Sequence, residues 1–417
     1  MRIALVVDDF PSVSQTFIVD KVIGLLERGA DVQVVCRRLD LVAWAGYPEL
    51  AARPEIRARV HAVPGRSPRS FALLATDAVR AAAHPSTLTQ FLAARARAAR
   101  GSSGLGIEMH ILTLRPDVVH FEFGWLAKTH GHLADAMDVP MTASFRGADL
   151  NYFGLDDDSY YEPVWSRLAA IHCLGDDLWT RALRRGCPPE MPVARIPPAV
   201  DIDAYRPPAP RRRSIGDPFR VLTVARLHWK KGFEHGLEAV RRLPESGIDV
   251  RYRIAGSGPH LPAVEALIAD LGLQDRVELL GSVSRQHVRD ELAAADILLH
   301  PATSEGFGNA VLEAQAMELP VVTSDADGLP ANVQHGTTGY VVPRRDPGAL
   351  ADAMTAIATD PDLARRLGQA GRLRVGTQFR PTEQISAFLD FYAAVADRAA
   401  GAGQLGRSGQ FGARTKR

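Results

Sequence analysis

The sequence predicts an α/β protein of two domains, and three observations support this prediction. A chain of 417 residues is long enough for two or more domains, and its 46% hydrophobic content is sufficient for two cores. Apolar runs of strand length alternate with helical apolar spacing in both halves. A segment rich in proline and arginine separates the halves. We therefore expect an amino-terminal domain over 1–205, a linker over 206–218 and a carboxyl-terminal domain over 219–380.

The amino-terminal half begins with a β-α-β pattern. The apolar run MRIALVVDDFP is typical of a strand that ends in a turn, and SVSQTFIVDKVIGLLERG is amphipathic and ends in Gly29. DVQVVC at 31–36 returns as a strand. No G-x-G-x-x-G follows the first strand, so we expect a Rossmann-like domain that does not bind a dinucleotide.

Two glutamates bracket a glycine-rich turn in the segment SEGFGNAVLEA. The strand-like DILLHPA precedes this turn and the helical pattern NAVLEAQAM follows it, which places Gly306 and Gly308 where a ligand can approach the backbone. If the helix begins near Asn309, Glu305 lies before it and Glu313 about one turn within it. The amides of the helix start suit an anion, and the carboxylates suit ribose and sugar hydroxyls. A capped helix with a surface glutamate is the alternative.

A second strand-turn-helix pattern, VLTVARLHWKKGFEHGLEAV at 221–240, carries cations in its turn. Arg226 and Lys231 follow the predicted strand, at the edge where open α/β sheets bind ligands. Arginine can donate two parallel hydrogen bonds to phosphate oxygens and lysine supplies a point charge, which suits a diphosphate. A solvated basic loop is the alternative, and the two glutamates of the other turn favour the diphosphate.

The order of five segments resembles the donor-binding domain of the retaining GT-B glycosyltransferases of family four. These segments are VARLHWKKG, IAGSGP (254–259), LLGSVSRQHV (279–288), SEGFGNAVLEA and LPVVTSDADGLP (319–330), and the family signature of two glutamates separated by seven residues is present. The resemblance implies a GT-B fold, in which two Rossmann-like, doubly wound domains face each other across a cleft. It also implies a helix over 381–400 that crosses back to the first domain. Residues 401–417 lack periodicity and are expected to be a disordered tail.

The same resemblance implies the roles of residues in the second domain. Arg226 and Lys231 would hold the donor diphosphate, and Glu313 the ribose. Glu305, together with the backbone of Phe307, Gly308 and Asn309, would hold the donor sugar and distal phosphate. The turn after the LLG strand would contact the nucleotide base through its main chain. The implied donor set is Arg226, Lys231, Gly281, Val283, Glu305, Gly306, Phe307, Gly308, Asn309 and Glu313.

The segment PSVSQTFIVDKV resembles the PxxSETFI opening of exopolysaccharide-type members of this family. Gln15 stands where those members have glutamate. The resemblance implies that Ser14, Gln15 and Thr16 line the acceptor side.

Two further strand ends carry polar residues, in RPDVVHFEFGWLA and VPMTASFRGADLN. Family members often have His-x-His at the first and a catalytic-site histidine followed by Gly-x-Asp at the second. Here Glu122 replaces the second histidine and Arg146 replaces the catalytic-site histidine. Arginine cannot act as a base because it stays charged, but it can stabilise a leaving phosphate or orient a sugar hydroxyl. We assign His120, Arg146 and Glu305 to catalysis, and Glu122 and Asp149 to the acceptor side.

His120 has an alternative interpretation as a hydrogen-bonded histidine at a strand end. Three consecutive aspartates, 156–158, imitate the Asp-x-Asp metal site of the other major glycosyltransferase fold, but they precede SYYEPVWSRLAA, where acidic residues favour a helix start. Cys36, Cys173 and Cys187 lack metal-ligand spacing and indicate reduced thiols. We therefore expect no metal and no cofactor, the nucleoside diphosphate sugar being a substrate.

Charge is uneven over 53–100, where nine arginines face two acidic residues. The interleaved apolar patterns indicate a basic amphipathic insertion, which either contacts an anionic membrane or a lipid-phosphate acceptor, or forms a solvated helical face. The net charge of +1 gives no general attraction to nucleic acid. No stretch is apolar enough to span a bilayer, and Asp8 and Asp9 are unlike a secretory signal. We expect a cytoplasmic protein, or one peripheral at the inner face of the membrane.

The predicted reaction moves a sugar from a nucleoside diphosphate sugar to a hydroxyl of a saccharide, lipid-linked or small-molecule acceptor. The resemblance implies retention at the anomeric carbon, with the departing phosphate helping to take the acceptor proton. Two alternatives stay open: a nucleotide-sugar epimerase of GT-B fold, and a catalytically silent GT-B binding protein. The second is suggested by Glu122 and Arg146, whereas the intact diphosphate and sugar contacts favour a transferase.

Overall fold

Each of two units of the chain is built on one parallel β-sheet with helices packed on its faces. The computed structural model describes residues 1–12, 15–63, 68–98, 104–207 and 217–408. The first unit comprises Met1–Ile196 together with the chain from Ile385 onward, and the second comprises Pro197–Gln384. Both units are Rossmann-like, as the GT-B prediction requires.

The sheet of the first unit has seven strands in the order β3-β2-β1-β4-β5-β6-β7, and every pair is parallel. The strands are β1 (Arg2–Phe10), β2 (Asp31–Leu39), β3 (Val60–Ala62), β4 (Val118–Phe121), β5 (Met141–Phe145), β6 (Ala170–Cys173) and β7 (Val193–Arg195). The central run Ile3–Val7 is fully buried. A parallel sheet covered on both faces requires such a continuous apolar run, which explains the sequence of β1.

Eleven described helices connect these strands, with a 3-10 turn at Gly131–Asp135. They are α1 (Thr16–Glu27), α2 (Leu41–Ala45), α3 (Pro48–Ala51), α4 (Pro54–Arg57), α5 (Pro68–Ala82), α6 (Pro85–Arg97), α7 (Leu105–Leu114), α8 (Gly124–His130), α9 (Gly147–Asn151), α10 (Glu162–Trp165) and α11 (Asp176–Arg184). The described part of the predicted basic insertion, 53–100, forms α4, β3, α5 and α6, and its residues 64–67 and 99–100 lie outside the described chain. After α1 the chain turns at Gly29, whose φ of +82° favours glycine, as the sequence predicts.

The sheet of the second unit has six parallel strands in the order β10-β9-β8-β11-β12-β13. The strands are β8 (Phe219–Val224), β9 (Val250–Ala255), β10 (Val277–Gly281), β11 (Ile297–His300), β12 (Val321–Ser324) and β13 (Gly339–Val342). The chain progresses outward from β8 through β9 to β10 and then returns to β11 on the other side of β8. This reversal is a topological switch point, and ligands of open α/β sheets bind outside the carboxyl ends of the strands there.

Helices α12 to α18 and two 3-10 turns, Trp229–Lys231 and Leu243–Ser246, complete the second unit. The helices are α12 (Phe233–Arg242), α13 (Leu261–Asp270), α14 (Arg285–Ala294), α15 (Asn309–Ala316), α16 (Leu329–Asn332), α17 (Pro347–Thr359) and α18 (Pro361–Gln378). Within the described ranges, no helix has the length and apolar composition that crossing a bilayer demands.

The first unit ends at Ile196 and not at residue 205, because the following chain is bonded to α18. The Val200 amide donates to the carbonyl of Phe379 across 3.0 Å. The guanidinium of Arg372 donates to the carbonyl of Tyr205 across 2.8 Å and to that of Ile202 across 3.2 Å. The predicted linker, 206–218, lies largely outside the described residues.

The last helix, α19 (Pro381–Ser408), is longer than the sequence suggests. Residues 401–408, assigned to a disordered tail, are helical, and 409–417 lie outside the described part of the chain. The helix continues through Gly401, although a glycine at this position is a common helix end. From Ile385 onward it belongs to the first unit, where Phe388 and Tyr392 enter the core.

The three aspartates at 156–158 do not begin a helix, contrary to the sequence interpretation. Helix α10 starts only at Glu162. The carboxylate of Asp157 instead accepts hydrogen bonds from the amide of Ser159 at 3.0 Å and from its hydroxyl at 2.7 Å. These local hydrogen bonds stabilise a turn. Aspartate side chains favour such turns as well as helix starts, and here the turn is formed.

Candidate active site

Glu305 is the centre of a polar cluster at the carboxyl end of β11. Its Oε2 atom accepts a hydrogen bond from His300 Nε2 at 3.0 Å and forms an ion pair with Lys231 Nζ. Its Oε1 atom accepts from the amide of Gly306 at 3.0 Å. The structure thus brings together Lys231 and Glu305, which the sequence places in two separate turns.

Two side chains from a neighbouring segment hold the backbone of the loop that carries Glu305. The amide of Glu305 donates to Asp327 Oδ2 at 3.0 Å, and the side-chain amide of Asn332 donates to the carbonyls of Phe307 and Gly308 at 2.9 and 3.0 Å. Gly308 has a φ of +89°, and α15 begins at the next residue, Asn309, as predicted. The chain can make this sharp entry because glycine tolerates the left-handed region.

The basic turn after β8 packs directly against the turn after β11. The carbonyl of Lys230 accepts from the amides of Thr303 and Ser304 at 2.8 and 3.2 Å. Gly232 has a φ of +66°, and a Cβ atom there would lie 2.1 Å from the carbonyl oxygen of Pro301. Arg226 lies two residues after the end of β8 and is exposed. The two turns therefore form one continuous surface with cations on one part and carboxylates on the other.

Neighbouring charge and burial have opposite effects on the pKa of Glu305. Its side chain is 15% exposed, and burial alone would raise its pKa. The charge of Lys231 and the hydrogen bond from His300 outweigh burial, and the pKa of Glu305 lies well below its ordinary value. Burial lowers the pKa of His300, so the cluster holds one cation, one carboxylate and one neutral imidazole at neutral pH.

Glu313 lies one turn into α15 and is half-buried. The hydroxyl of Tyr205 is hydrogen-bonded to it, and burial followed by the charge of Glu313 raises the pKa of Tyr205. The guanidinium of Arg289 lies 5.8 Å from the centre of the Tyr205 ring. Glu313 is thus oriented by a residue from the segment that precedes β8.

The proposed base-contacting turn lies at the end of β10. Gly281 has a φ of +66°, and Val283 is half-buried. Between them, the hydroxyl of Ser282 is 2.6 Å from that of Ser257, in the glycine-rich turn after β9. The main chain at Gly281–Val283 is therefore positioned by a contact between neighbouring strand ends.

In the first unit, Glu122 and Arg146 form an ion pair with N–O separation 2.8 Å. Lys21 Nζ donates to the other oxygen of Glu122 at 2.6 Å and lies 3.9 Å from the centre of the Phe388 ring. Lys21 is 2% exposed and Glu122 is fully buried, whereas the side chain of Arg146 is 13% exposed. The guanidinium of Arg146 stacks on Phe17 at 4.0 Å. Glu122, predicted on the acceptor side, is therefore an interior residue that orients Arg146.

His120 belongs to a chain of hydrogen bonds inside the first sheet. Its Nδ1 is 2.8 Å from the hydroxyl of Thr142, and its Nε2 is 2.9 Å from that of Ser144. Ser144 is also 2.8 Å from Nδ1 of His172, and Nε2 of His172 donates to the carbonyl of Ile196 at 2.9 Å. Both ring nitrogens of His120 are engaged inside the sheet, which is the arrangement of a hydrogen-bonded histidine. We therefore do not place His120, assigned to catalysis from the sequence, in contact with substrate.

Asp149 is also buried, although the sequence places it on the acceptor side. Its carboxylate accepts from the amide of Arg146 at 2.9 Å and from that of Trp125 at 3.3 Å. Burial raises its pKa to about 6. Asp149 therefore fixes the turn that carries Arg146. Of the other acceptor-side residues, Gln15 and Thr16 are half-buried at the start of α1, and Ser14 lies outside the described residues.

Three residues of these clusters escape the sequence analysis. His300 has a detectable signal, since it is the polar member of the buried run ILLH. Lys21 lies four residues after Phe17 and one before Val22, on the apolar face of α1, where a lysine is unexpected. Tyr205 has no local signal, because its partner Glu313 is distant in sequence.

Comparison with known proteins identifies the second unit. Residues 209–374 match the family described as glycosyl transferases group 1. This segment belongs to the group 1 glycosyl transferases. The predicted diphosphate and sugar clusters both lie within the group 1 segment.

Three known proteins resemble this chain over different shares of its length. The putative colanic acid biosynthesis glycosyltransferase WcaL of Escherichia coli K12 is 28% identical over 86% of this chain and 91% of its own length. The alpha-D-kanosaminyltransferase of Streptomyces kanamyceticus is 34% identical over 41% of this chain, a match that spans 44% of that relative. The crystal structure of Anabaena Alr3699/HepE in complex with UDP and glucose covers 94% of this chain with a TM-score of 0.72 and 15% identity. The last similarity establishes the GT-B fold.

Proposed function

We propose that this protein is a retaining glycosyltransferase that moves a sugar from a nucleoside diphosphate sugar to an acceptor hydroxyl. The observation that carries the proposal is the pairing of Lys231 with Glu305 at the switch point of the second sheet. This pairing joins a cation suited to phosphate and a carboxylate suited to sugar hydroxyls on adjacent turns. The match of residues 209–374 to the group 1 family supports the same activity.

The donor diphosphate would bind Arg226, Lys231 and the amides at the start of α15. Arg226 is exposed and free to move toward phosphate, whereas Lys231 is held by Glu305. A dianionic diphosphate competes for Lys231 because phosphate oxygens are strong acceptors of charge-assisted hydrogen bonds. Glu313 would accept the hydroxyls of the ribose, and Glu305 those of the donor sugar.

Retention would follow from attack on the same face as the departing phosphate, which takes the acceptor proton itself. Such a reaction needs stabilised charge on the leaving group more than a protein base. Arg146, which stands at the family's catalytic-site histidine, cannot take a proton. We propose an electrostatic role for it, with Glu122 and Phe17 orienting its guanidinium. We also propose that no metal takes part.

The acceptor is proposed to be a saccharide or a lipid-linked saccharide. The similarity to WcaL, described as a colanic acid biosynthesis glycosyltransferase, extends over 86% of this chain and favours a polysaccharide-building context. A contact of the basic helices α4 to α6 with an anionic membrane, at the inner face where a lipid-linked acceptor would be presented, is part of this proposal.

The test is a thermal-shift screen of UDP-, GDP- and ADP-sugars, followed by transfer assays with the stabilising donor. A donor at about 100 times its Kd adds about 2.7 kcal/mol to the free energy of unfolding. Lys231→Ala and Glu313→Ala should weaken donor use about 10- to 100-fold, since each loses a charge-assisted hydrogen bond. Arg365→Ala, which removes an exposed cation from α18, is the matched control.

Four outcomes would contradict the proposal. Unchanged donor use in both variants would refute the site. Conversion of the donor sugar without any acceptor would favour the epimerase, and donor binding without turnover would favour a silent binding protein. NMR of the product decides the stereochemistry, because a product of inverted anomeric configuration would refute retention.

A further inference from the structure

We propose that His300 is a positioning residue that holds the carboxylate of Glu305 in the orientation that receives the donor sugar. The inference rests on the proposed function and adds to it a residue that contacts neither phosphate nor sugar. It starts from the hydrogen bond of 3.0 Å between His300 Nε2 and Glu305 Oε2.

The chemistry of the two groups fixes the direction of this bond. An ionised carboxylate only accepts hydrogen bonds, so Nε2 of His300 must carry the hydrogen. The other nitrogen, Nδ1, is buried and has no hydrogen-bond partner among the residues that the structure describes. His300 itself is 2% exposed. A buried imidazole with one unsatisfied nitrogen is costly for the fold. Within the described part of the chain, the hydrogen bond to Glu305 is the polar side-chain contact that offsets this cost.

The remaining partners of Glu305 show why a second donor to Oε2 matters. Oε2 is shared by His300 and Lys231, whereas Oε1 accepts from the Gly306 amide. The backbone amide of Glu305 is already bonded to Asp327. Once a diphosphate engages Lys231, His300 and the Gly306 amide still hold one carboxylate oxygen each. Glu305 then keeps its orientation while its free lone pairs accept sugar hydroxyls.

This division of roles predicts an effect that depends on the sugar. His300 should matter for the intact nucleoside diphosphate sugar and not for the nucleoside diphosphate alone, because only the sugar contacts Glu305. Substitution of a residue that merely fills the core would weaken the use of both ligands equally. Alternatively, it would lower the stability of the protein without changing the ratio between the two ligands' affinities.

The experiment compares three variants of the full chain. In His300→Gln the amide nitrogen lies near the position of Nε2 and can donate to Glu305. In His300→Asn the amide nitrogen lies near the position of Nδ1 and cannot, and in His300→Leu no donor remains. The measurements are Kd for the nucleoside diphosphate by calorimetry, and kcat and KM for the sugar donor that stabilises the wild-type protein.

We expect kcat/KM for the sugar donor to fall roughly 10- to 100-fold in His300→Leu and His300→Asn, the range for a hydrogen bond to a charged group. Kd for the nucleoside diphosphate should stay within about twofold, since each of its contacts is retained. His300→Gln should recover most of the lost kcat/KM. If His300→Leu does not fold, the contrast between the glutamine and asparagine variants decides the matter alone.

Wild-type kcat/KM in the leucine or asparagine variant would overturn the positioning role, as would equal losses for the sugar donor and the nucleoside diphosphate. A glutamine variant as impaired as the asparagine variant would overturn it too. Failure of the wild-type protein to bind any nucleoside diphosphate would remove the proposed function, and the role of His300 with it. Normal wild-type binding with unaffected variants would remove the role of His300 only.

Discussion

Arg146 donates a hydrogen bond to the carboxylate of Glu122 across 2.8 Å. These are the two positions at which the chain departs from the histidines that its family resemblance leads one to expect. The two departures therefore form one ion pair. Each residue supplies the opposite charge that the other requires, since a buried glutamate needs a cation and a half-buried arginine needs an anion. Lys21, at 2.6 Å from the other oxygen, completes the cluster. The orientation and charge environment of Arg146 therefore depend on both Glu122 and Lys21.

Removal of the shared carboxylate should destabilise the first unit. Glu122→Gln leaves the buried ammonium of Lys21 and the guanidinium of Arg146 without their anion, and we expect a loss of about 3–5 kcal/mol in the free energy of unfolding. Urea denaturation measures it. The double variant Lys21→Met with Glu122→Gln is the control, and its loss should be well below the sum of the two single losses because the residues interact directly. Additive losses would show that the pair carries no coupling energy.

Arg146 should affect turnover more than donor binding. If its guanidinium meets charge that develops as the phosphate departs, Arg146→Ala lowers kcat on the order of a hundredfold with a smaller change in donor KM. Arg146→Lys should recover part of the rate, since it keeps the charge and loses the planar fork. Arg146→His tests whether a polar donor suffices. Steady-state transfer assays measure kcat and donor KM for each variant, and melting temperatures are the control for folding. Wild-type turnover in Arg146→Ala would show that Arg146 is a purely structural residue.

Tyr205→Phe should weaken donor binding without slowing the chemical step. The hydroxyl holds Glu313, which we propose to contact the ribose, a part of the donor that does not change during transfer. Loss of one such bond corresponds to roughly a 2- to 10-fold rise in donor KM, with kcat unchanged. Tyr340→Phe, on β13, is the matched control. A fall in kcat at constant KM would contradict the ribose assignment.

The histidine chain of the first sheet should resist protonation. Burial lowers the pKa of His172 to about 3, whereas an unfolded chain titrates near its ordinary value of 6.5. Between these values the unfolded state binds more protons, so the contribution of His172 to stability falls as the pH falls from about 6.5 toward 3. Ring signals of His172 in proton NMR, assigned with His172→Gln, should not move between about pH 7 and pH 5. A titration with a midpoint near 6.5 would contradict the buried neutral form.

Chelation should leave transfer intact, because the proposed leaving-group contacts are cations and amides. Turnover is measured after exhaustive dialysis against EDTA. Activity lost on chelation and restored by Mg²⁺ or Mn²⁺ would refute the metal-independent proposal and redirect attention to the aspartates at 156–158.

Sequence patterns predicted the helices and strands of the candidate site. They predicted the contacts between its side chains less well. The start of α15 at Asn309 was predictable because a buried strand, two glycines and a helical apolar pattern follow one another. The end of α19 was not, since the glycines at 401, 403 and 406 are typical of a helix end and yet the helix runs on to Ser408. Likewise, no local pattern shows that Tyr205 contacts Glu313 or that Glu122 is turned inward, because such contacts depend on how distant segments pack.

The close approach of Gly232 to the carbonyl of Pro301 restricts how this protein could be redesigned. A Cβ atom at 232 would meet that oxygen at 2.1 Å, so residue 232 has to remain glycine for the turns after β8 and β11 to keep their contact. Under the proposed function, a change of donor sugar would therefore be sought by side-chain replacement on an unchanged main chain. The turn at Gly281–Val283 belongs to a strand two positions away from β8 in the sheet. If this turn contacts the nucleobase as the family resemblance implies, nucleobase preference is the property that directed evolution can alter with the least disturbance to the turns after β8 and β11.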